Sequence, residues 1–169
     1  MKFLRNPKPR RRGFTLVEAM VALSVVSMVF GMVAFLQMFS ARTSKKLNAF
    51  SRTQGIMYSA LDQVMMRLCM ARSGADNITI SADGHQIDFI DPNHGNVTSS
   101  FLFQNNTLYY DDDVSGGAGY QAKVTRLENL TFELLDGATV VRVTSKATAI
   151  AGYTLERPIE KQVSVYLRN

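Results

Sequence analysis

Cysteine is almost absent from this chain: Cys69 stands alone among 169 residues, which excludes an intramolecular disulfide in any redox compartment. A lone thiol on a helical stretch reads as a small apolar residue on one helix face. Histidine is nearly as scarce, and His85 and His94 with Cys69 match no familiar zinc-ligand spacing. The chain has no Gly-x-Ser-x-Gly elbow, no Walker loop and no dinucleotide glycine pattern. Its serines have no histidine context that would supply a base and an orienting acid. No catalytic residue, cofactor or metal is therefore expected. Asp111-Asp112-Asp113 could offer oxygen ligands to calcium, but the run lacks the alternating ligands and closing glutamate of an EF-hand loop. It reads as an acidic, exposed strand end. No internal repeat or low-complexity tract points to a solenoid or a disordered chain.

Acidic residues are missing from the N-terminus, and this explains the net charge of +5 and the basic pI of 9.5. Lys2, Arg5, Lys8, Arg10, Arg11 and Arg12 all precede Gly13, whereas the 14 acidic residues all follow it. Six of the 19 basic residues thus lie in this leader, leaving 13 against 14 in the rest. The remainder is near neutral and shows no cluster of basic and aromatic residues, which argues against nucleic-acid binding.

The long apolar run is what the chain does have. From Ala19 to Ala41 no charge interrupts it, and at about 1.5 Å per residue it spans about 35 Å, enough to cross a hydrocarbon core of about 30 Å. A cleaved secretory signal fits poorly. The run exceeds an h-region of about 7 to 15 residues, and Phe39-Ser40-Ala41 puts a bulky side chain where cleavage wants a small one. The basic leader orients the segment with its N-terminus in the cytoplasm and the remainder across the membrane. Glu18 sits almost at the start of this run. A carboxylate at the centre of a membrane helix costs about 2.5 to 3.5 kcal/mol, so an acid in this setting asks for a partner.

After Arg42 the pattern becomes amphipathic, with Leu47, Phe50, Met57, Leu61, Val64, Leu68 and Ala71 forming one helical stripe. Gln54 takes a skipped place in it, and Gly55 suggests a bend or a close contact. The pattern predicts one helix from near Thr15 to near Arg72, ended by Ser73-Gly74-Ala75-Asp76. Met20, Met28, Met32, Met38, Met57, Met65, Met66 and Met70 supply adaptable packing along it. Gly31 could admit close helix contact. From Asn77 onward the period changes to two. Hairpins are predicted at Asn77–Ser81 with Gln86–Asp91, at Ser100–Gln104 with Thr107–Asp111, and at Asn129–Leu135 with Thr139–Thr148. A final strand covers Gln162–Leu167, and Val114–Gln121 reads as a mobile glycine-rich loop. Strands grouped after one helix imply an α+β fold. One antiparallel sheet would pack Ile78, Ile80, Ile87, Phe89, Leu130, Phe132, Val141 and Val143 against Leu61, Val64 and Leu68. The expected organisation is a basic leader over 1–13, a membrane or filament-core helix over 14–41, an amphipathic half over 42–75 and a β head over 76–169.

Gly13-Phe14-Thr15-Leu16-Val17-Glu18 after a basic leader closely resembles the processing site of type IV prepilins and type II secretion pseudopilins. The resemblance implies cleavage between Gly13 and Phe14 by a membrane aspartyl prepilin peptidase, with methylation of the new N-terminus at Phe14. A glycine suits the cut, because the peptidase meets no side chain there. Glu18 becomes the fifth residue of the mature chain, and the resemblance implies that its carboxylate pairs with the N-terminal amine of a neighbouring subunit. The missing cysteine pair departs from many major pilins and leans toward minor pilins and pseudopilins. Val124–Leu135 leading into Asp136-Gly137, and the end Val165-Tyr166-Leu167-Arg168-Asn169, look like J-type pseudopilins and W-type minor pilins.

The implied protein is a non-catalytic structural subunit of a type II secretion pseudopilus or type IV pilus. It would sit in the bacterial inner membrane as a single-pass chain with a periplasmic head. Its implied partners are prepilin peptidase, other pilins or pseudopilins through the N-terminal helix, and the inner-membrane assembly machinery. Two other readings predict different behaviour. An uncleaved, membrane-tethered binding or sensor domain would keep Met1 and tolerate Glu18→Ala, and a DNA-uptake pilin would bind DNA through its head in a salt-dependent way.

Overall fold

A computed structural model describes residues 15–92, 95–117, 119–150 and 153–168. Gly13, Phe14 and the leader, together with His94, lie outside the described residues. The chain divides into two compact units between Lys45 and Lys46, and one helix, α1 (Leu16–Leu68), contributes to both. In the first unit the helix exposes Leu16, Val17, Met20, Leu23, Phe30, Phe35 and Phe39 along its length. Ser24 and Ser27 donate their hydroxyls to the carbonyls of Met20 and Leu23 at 2.7 and 2.8 Å. Bonding back to the preceding turn satisfies these polar groups without water.

In the second unit α1 is followed by eight strands: β1 (Ile78–Ile80), β2 (Gln86–Asp91), β3 (Val97–Gln104), β4 (Thr107–Asp111), β5 (Gln121–Thr125), β6 (Asn129–Leu135), β7 (Val140–Ile150) and β8 (Tyr153–Tyr166). They form two antiparallel meanders rather than the single expected sheet: β1 to β5 in sequence order, then β6-β7-β8. The α+β class is as expected, and so are the three hairpins. The break between sheets falls at Arg126-Leu127-Glu128. Arg126 adopts φ 67°, a left-handed conformation rare outside glycine, and Leu127 tucks in, almost wholly buried, with its N–H donated to the Asn106 carbonyl at 3.0 Å.

Both sheets bury their inner faces on the same stretch of helix. Ala60, Leu61, Val64 and Leu68 join Ala71, with Ile78, Ile87, Phe89 and Phe101 from the first sheet and Leu130, Phe132, Val141, Val143 and Val165 from the second, in one core. Ile80 is only partly buried at its margin. The buried stripe begins at Met57. Leu47 is 62% exposed and Phe50 38%, because the head covers the helix only further along. The α-helix stops at Leu68, and Gly74 at φ 115° turns the chain toward β1. Cys69 falls past the helix end and is exposed, with its thiol donating to the Met66 carbonyl at 3.3 Å. A Cβ built at Gly31 or Gly55 meets nothing within 4 Å, so no close contact within the chain requires either glycine.

The β1–β2 turn ties the two sheets together. Phe132 donates its N–H to the Gly84 carbonyl at 2.8 Å, and His85 Nδ1 bonds the Leu130 carbonyl at 2.8 Å. Gly84 has φ 70°, and a Cβ there would lie 3.2 Å from the Phe132 oxygen, so both backbone conformation and space favour glycine. The loop before β5 is also tied. Tyr120 donates its hydroxyl to Ser100 Oγ at 3.0 Å, and Ser100 donates to Asp88 Oδ1 at 2.5 Å. Tyr120 thereby covers Ser100 on the outer face of β3, so that Ser99, Ser100 and Phe101 are buried in succession although they alternate between the two faces.

Leu68→Ala is expected to cost about 2 to 5 kcal/mol, since it opens a cavity where both sheets meet the helix. Leu47→Ala, on the uncovered part of α1, is expected to fall within about 0.5 kcal/mol of the parent. Chemical unfolding of the full chain in detergent micelles checks the difference.

Candidate functional site

Helix α1 begins at Leu16 because Thr15 and Glu18 close its first turn reciprocally. Glu18 donates its backbone N–H to Thr15 Oγ1 at 3.3 Å, and Glu18 Oε2 accepts from the Thr15 N–H at 3.0 Å. The Thr15 hydroxyl also donates to Oε2 at 3.0 Å. This is a capping box, in which a threonine at the cap and a glutamate three residues on satisfy two orphan backbone donors. The carboxylate also sits at the positive end of the helix dipole. The structure therefore gives Glu18 a local role alongside the pairing expected of it. Both bonds hold its carboxylate against Thr15 at the N-terminal end of the helix.

Thr15 was missing from the expected site residues. Its signal lay in the sequence as Thr15-x-x-Glu18 directly before an apolar run, a helix-start pattern. Here it overlaps the Gly13–Glu18 motif.

The other candidates stay apart. His85 bonds the Leu130 carbonyl and packs its ring 5.5 Å from that of Phe103. Cys69 lies exposed past the helix end. Among the described residues no three histidine, cysteine or acidic side chains converge as a metal site. Asp111 is buried, while Asp113 caps its own turn by accepting from Ser115 Oγ at 2.6 Å and from the Ser115 and Gly116 N–H groups at 3.0 Å. The Ser115 hydroxyl first, then these backbone donors, hold the Asp113 carboxyl below the usual carboxylate range.

A second feature joins residues far apart in sequence. Asn48, Arg52, Thr53 and Ile56 of α1 face Arg126, Leu127 and Glu128 across a groove of about 500 Å³. Arg52, Ile56 and Arg126 also line an adjoining groove of about 430 Å³ with Ser59 and Lys123. Three cations thus flank one continuous surface. Arg52 and Arg126 are more than 70 positions apart, so no local motif shows this cluster.

Residues 8–34 match the family model described as the prokaryotic N-terminal methylation motif. The match spans the basic end of the leader, Gly13, Phe14, the Thr15–Glu18 cap and the first part of the apolar helix. Comparison with curated proteins returned no match, and comparison with solved structures returned none. The motif, with one long N-terminal helix followed by antiparallel sheets, supports a type IV pilin-like family and indicates a prepilin-processed chain.

Thr15→Ala is expected to weaken the helix start by about 1 kcal/mol, with amide exchange at Val17 and Glu18 about fivefold faster in detergent micelles. Thr15→Ser should keep the parent's protection. Equal exchange in all three chains would remove the capping role.

Proposed function

We propose that this chain is a pilin-like structural subunit, cut between Gly13 and Phe14, methylated at Phe14 and assembled into a type II secretion pseudopilus or a type IV pilus. The single observation that carries the reading is the methylation motif over residues 8–34 running directly into a helix long and apolar enough to cross a membrane. A tether alone needs neither a glycine at a cleavage point nor a glutamate five residues beyond it.

Cleavage creates a cation at Phe14, four residues before Glu18. In a low-dielectric setting each charge is costly alone, and pairing offsets part of the desolvation of both. The capping box holds the Glu18 carboxylate on the N-terminal side of α1, where the amine of an adjacent mature chain would meet it. The mature segment from Phe14 to about Ala41 would pack with other subunits, first in the inner membrane and then in the filament core. The head would stay periplasmic and present its surface to partners. The J-type pseudopilin or W-type minor pilin assignment rests on the sequence of Val124–Leu135 and of the C-terminal end. Prepilin peptidase, other pilins and the inner-membrane assembly machinery are the partners of this reading.

Co-production with an active prepilin peptidase is expected to yield a product beginning at methylated Phe14, identified by intact-mass and N-terminal peptide spectrometry. Gly13→Leu should leave Met1 in place. Glu18→Ala should be inserted and cut, yet recovered in sheared filaments at about a tenth of the parent amount or less. An intact Met1 terminus beside a correctly cut control substrate would sink the reading in favour of a tethered periplasmic domain.

A further inference from the structure

Charge of one sign follows the apolar run. Between Glu18 and Asp62 the sequence holds Arg42, Lys45, Lys46 and Arg52 and no acid. All four come after Ala41, the last residue of the stretch long and apolar enough to cross a membrane. In the orientation proposed above they fall on the far side of the bilayer, against the positive-inside rule, so topology does not account for them. A basic segment directly beyond a span is a form that anionic phospholipid headgroups attract, at about fivefold in affinity for each cation near the surface.

The fold adds two cations to the last of these four. Arg52 lines the groove of about 430 Å³ together with Lys123 and Arg126, and with Ile56, Ser59 and Val124. All three cations are exposed, and no described acid lines this groove. Lys123 donates to Gln121 Oε1 at 3.2 Å and lies 5.7 Å from the centre of the Tyr110 ring, both neutral partners. None of the three is paired with a carboxylate among the described residues. Glu128 belongs to the adjoining groove, and its carboxylate accepts from the Thr148 N–H at 2.5 Å and from the Thr148 hydroxyl. Arg52 follows Ala41 by eleven residues, about 16 Å of helical chain. A headgroup layer covers about 5 to 7 Å of that length, and its potential reaches about 8 Å further at physiological salt.

We propose that the groove at Arg52, Lys123 and Arg126 seats the anionic headgroups of the bilayer that α1 crosses. Guanidinium groups pair with phosphate oxygens in a bidentate fork, and the lysine ammonium adds a point charge. The inference rests on the reading above, in which the first half of α1 spans the membrane and the leader is cut away. Cutting after Gly13 removes six cations, so the basic residues nearest the bilayer in the processed chain are those beyond Ala41. The head contact would hold the processed chain at the outer face until it is drawn into a filament.

The test uses the full chain in lipid nanodiscs, with Cys69→Ser throughout, so that both faces of the bilayer are open to an uncharged, water-soluble maleimide. Ser59→Cys reports from the groove. Its labelling is expected to be about fivefold slower in discs containing phosphatidylglycerol than in phosphatidylcholine alone, and the difference should vanish in 1 M salt, where the Debye length is about 3 Å. Ser164→Cys, exposed on β8, should label equally in both. Arg52→Gln and Arg126→Gly should each bring Ser59→Cys to within about twofold of its phosphatidylcholine rate, and Arg52→Lys should keep the protection. Arg126→Gly removes a cation at a φ of 67° that glycine adopts freely, so its thermal unfolding should match or exceed the parent's, which separates lost protection from lost folding. Equal Ser59→Cys rates in the two lipids, or protection that survives 1 M salt or Arg126→Gly, would overturn the proposal. So would protection only by duplex DNA added to phosphatidylcholine discs, which assigns the groove to nucleic acid, or only when two chains share a disc, which assigns it to a second copy. Phe30→Cys reports on the span in parallel discs. Unreactive Phe30→Cys beside lipid-indifferent Ser59→Cys refutes the headgroup contact alone. Reactive Phe30→Cys refutes the crossing helix, and lipid-dependent Ser59→Cys beside it leaves the groove as a headgroup site of a chain lying at the surface.

Discussion

The packing of two sheets on one short helical stripe is the interaction on which the head depends. Neither sheet has a second layer of its own. β1 to β5 and β6 to β8 both turn their apolar faces to Ala60, Leu61, Val64 and Leu68, and burying a side chain of the leucine class contributes about 1.5 to 3 kcal/mol. Removing the stripe would leave two open sheets with exposed apolar faces. The arrangement also fixes which part of α1 is available elsewhere, because the buried stripe begins at Met57 and, before it, Thr53 and Ile56 are only partly covered. One continuous helix can thus serve two environments: a protein core at its end, and lipid or neighbouring helices at its beginning.

Periodicity made most of this legible. The helical stripe, the strict alternation in β2 and the alternation through the middle of β6 and β7 reveal their inner faces, and Asn105-Asn106, with φ of 49° and 60°, forms the turn its sequence announces. β5 escaped because Val124 is its only buried residue, leaving no alternation to read. The first half of β8 escaped because Pro158 interrupts it; among the described residues β8 pairs only with β7, and an edge strand tolerates a residue that cannot donate. The split into two sheets depends on Arg126, whose left-handed backbone no propensity rule assigns to arginine. Leu47 and Phe50 belong to the stripe by spacing yet stay uncovered, since periodicity marks a face and not how far the partner extends.

The functional end shows the same division. Gly13, Phe14 and Glu18 are legible as a motif, and Thr15 as a helix cap, because both are local in sequence. The groove of Arg52, Lys123 and Arg126 is assembled by the fold across more than 70 positions. Glu18 connects the two levels. In the described chain it stabilises the helix start with Thr15, so the carboxylate is oriented before any partner arrives. Local capping and pairing with a mature amine are compatible uses of one side chain, as a carboxylate offers more than one acceptor site.

On the proposed reading, pairing of Glu18 with a neighbour's terminal amine would join processing to assembly. It is tested most directly by solid-state NMR on sheared filaments in which this chain carries a ¹³C carboxyl at Glu18 and the surrounding subunits carry ¹⁵N at their N-terminal residue. The expected result is a carbon–nitrogen cross-peak in assembled, processed material, absent from Glu18→Ala. No cross-peak in fully processed and assembled filaments would contradict inter-subunit pairing and leave Glu18 as a helix cap alone.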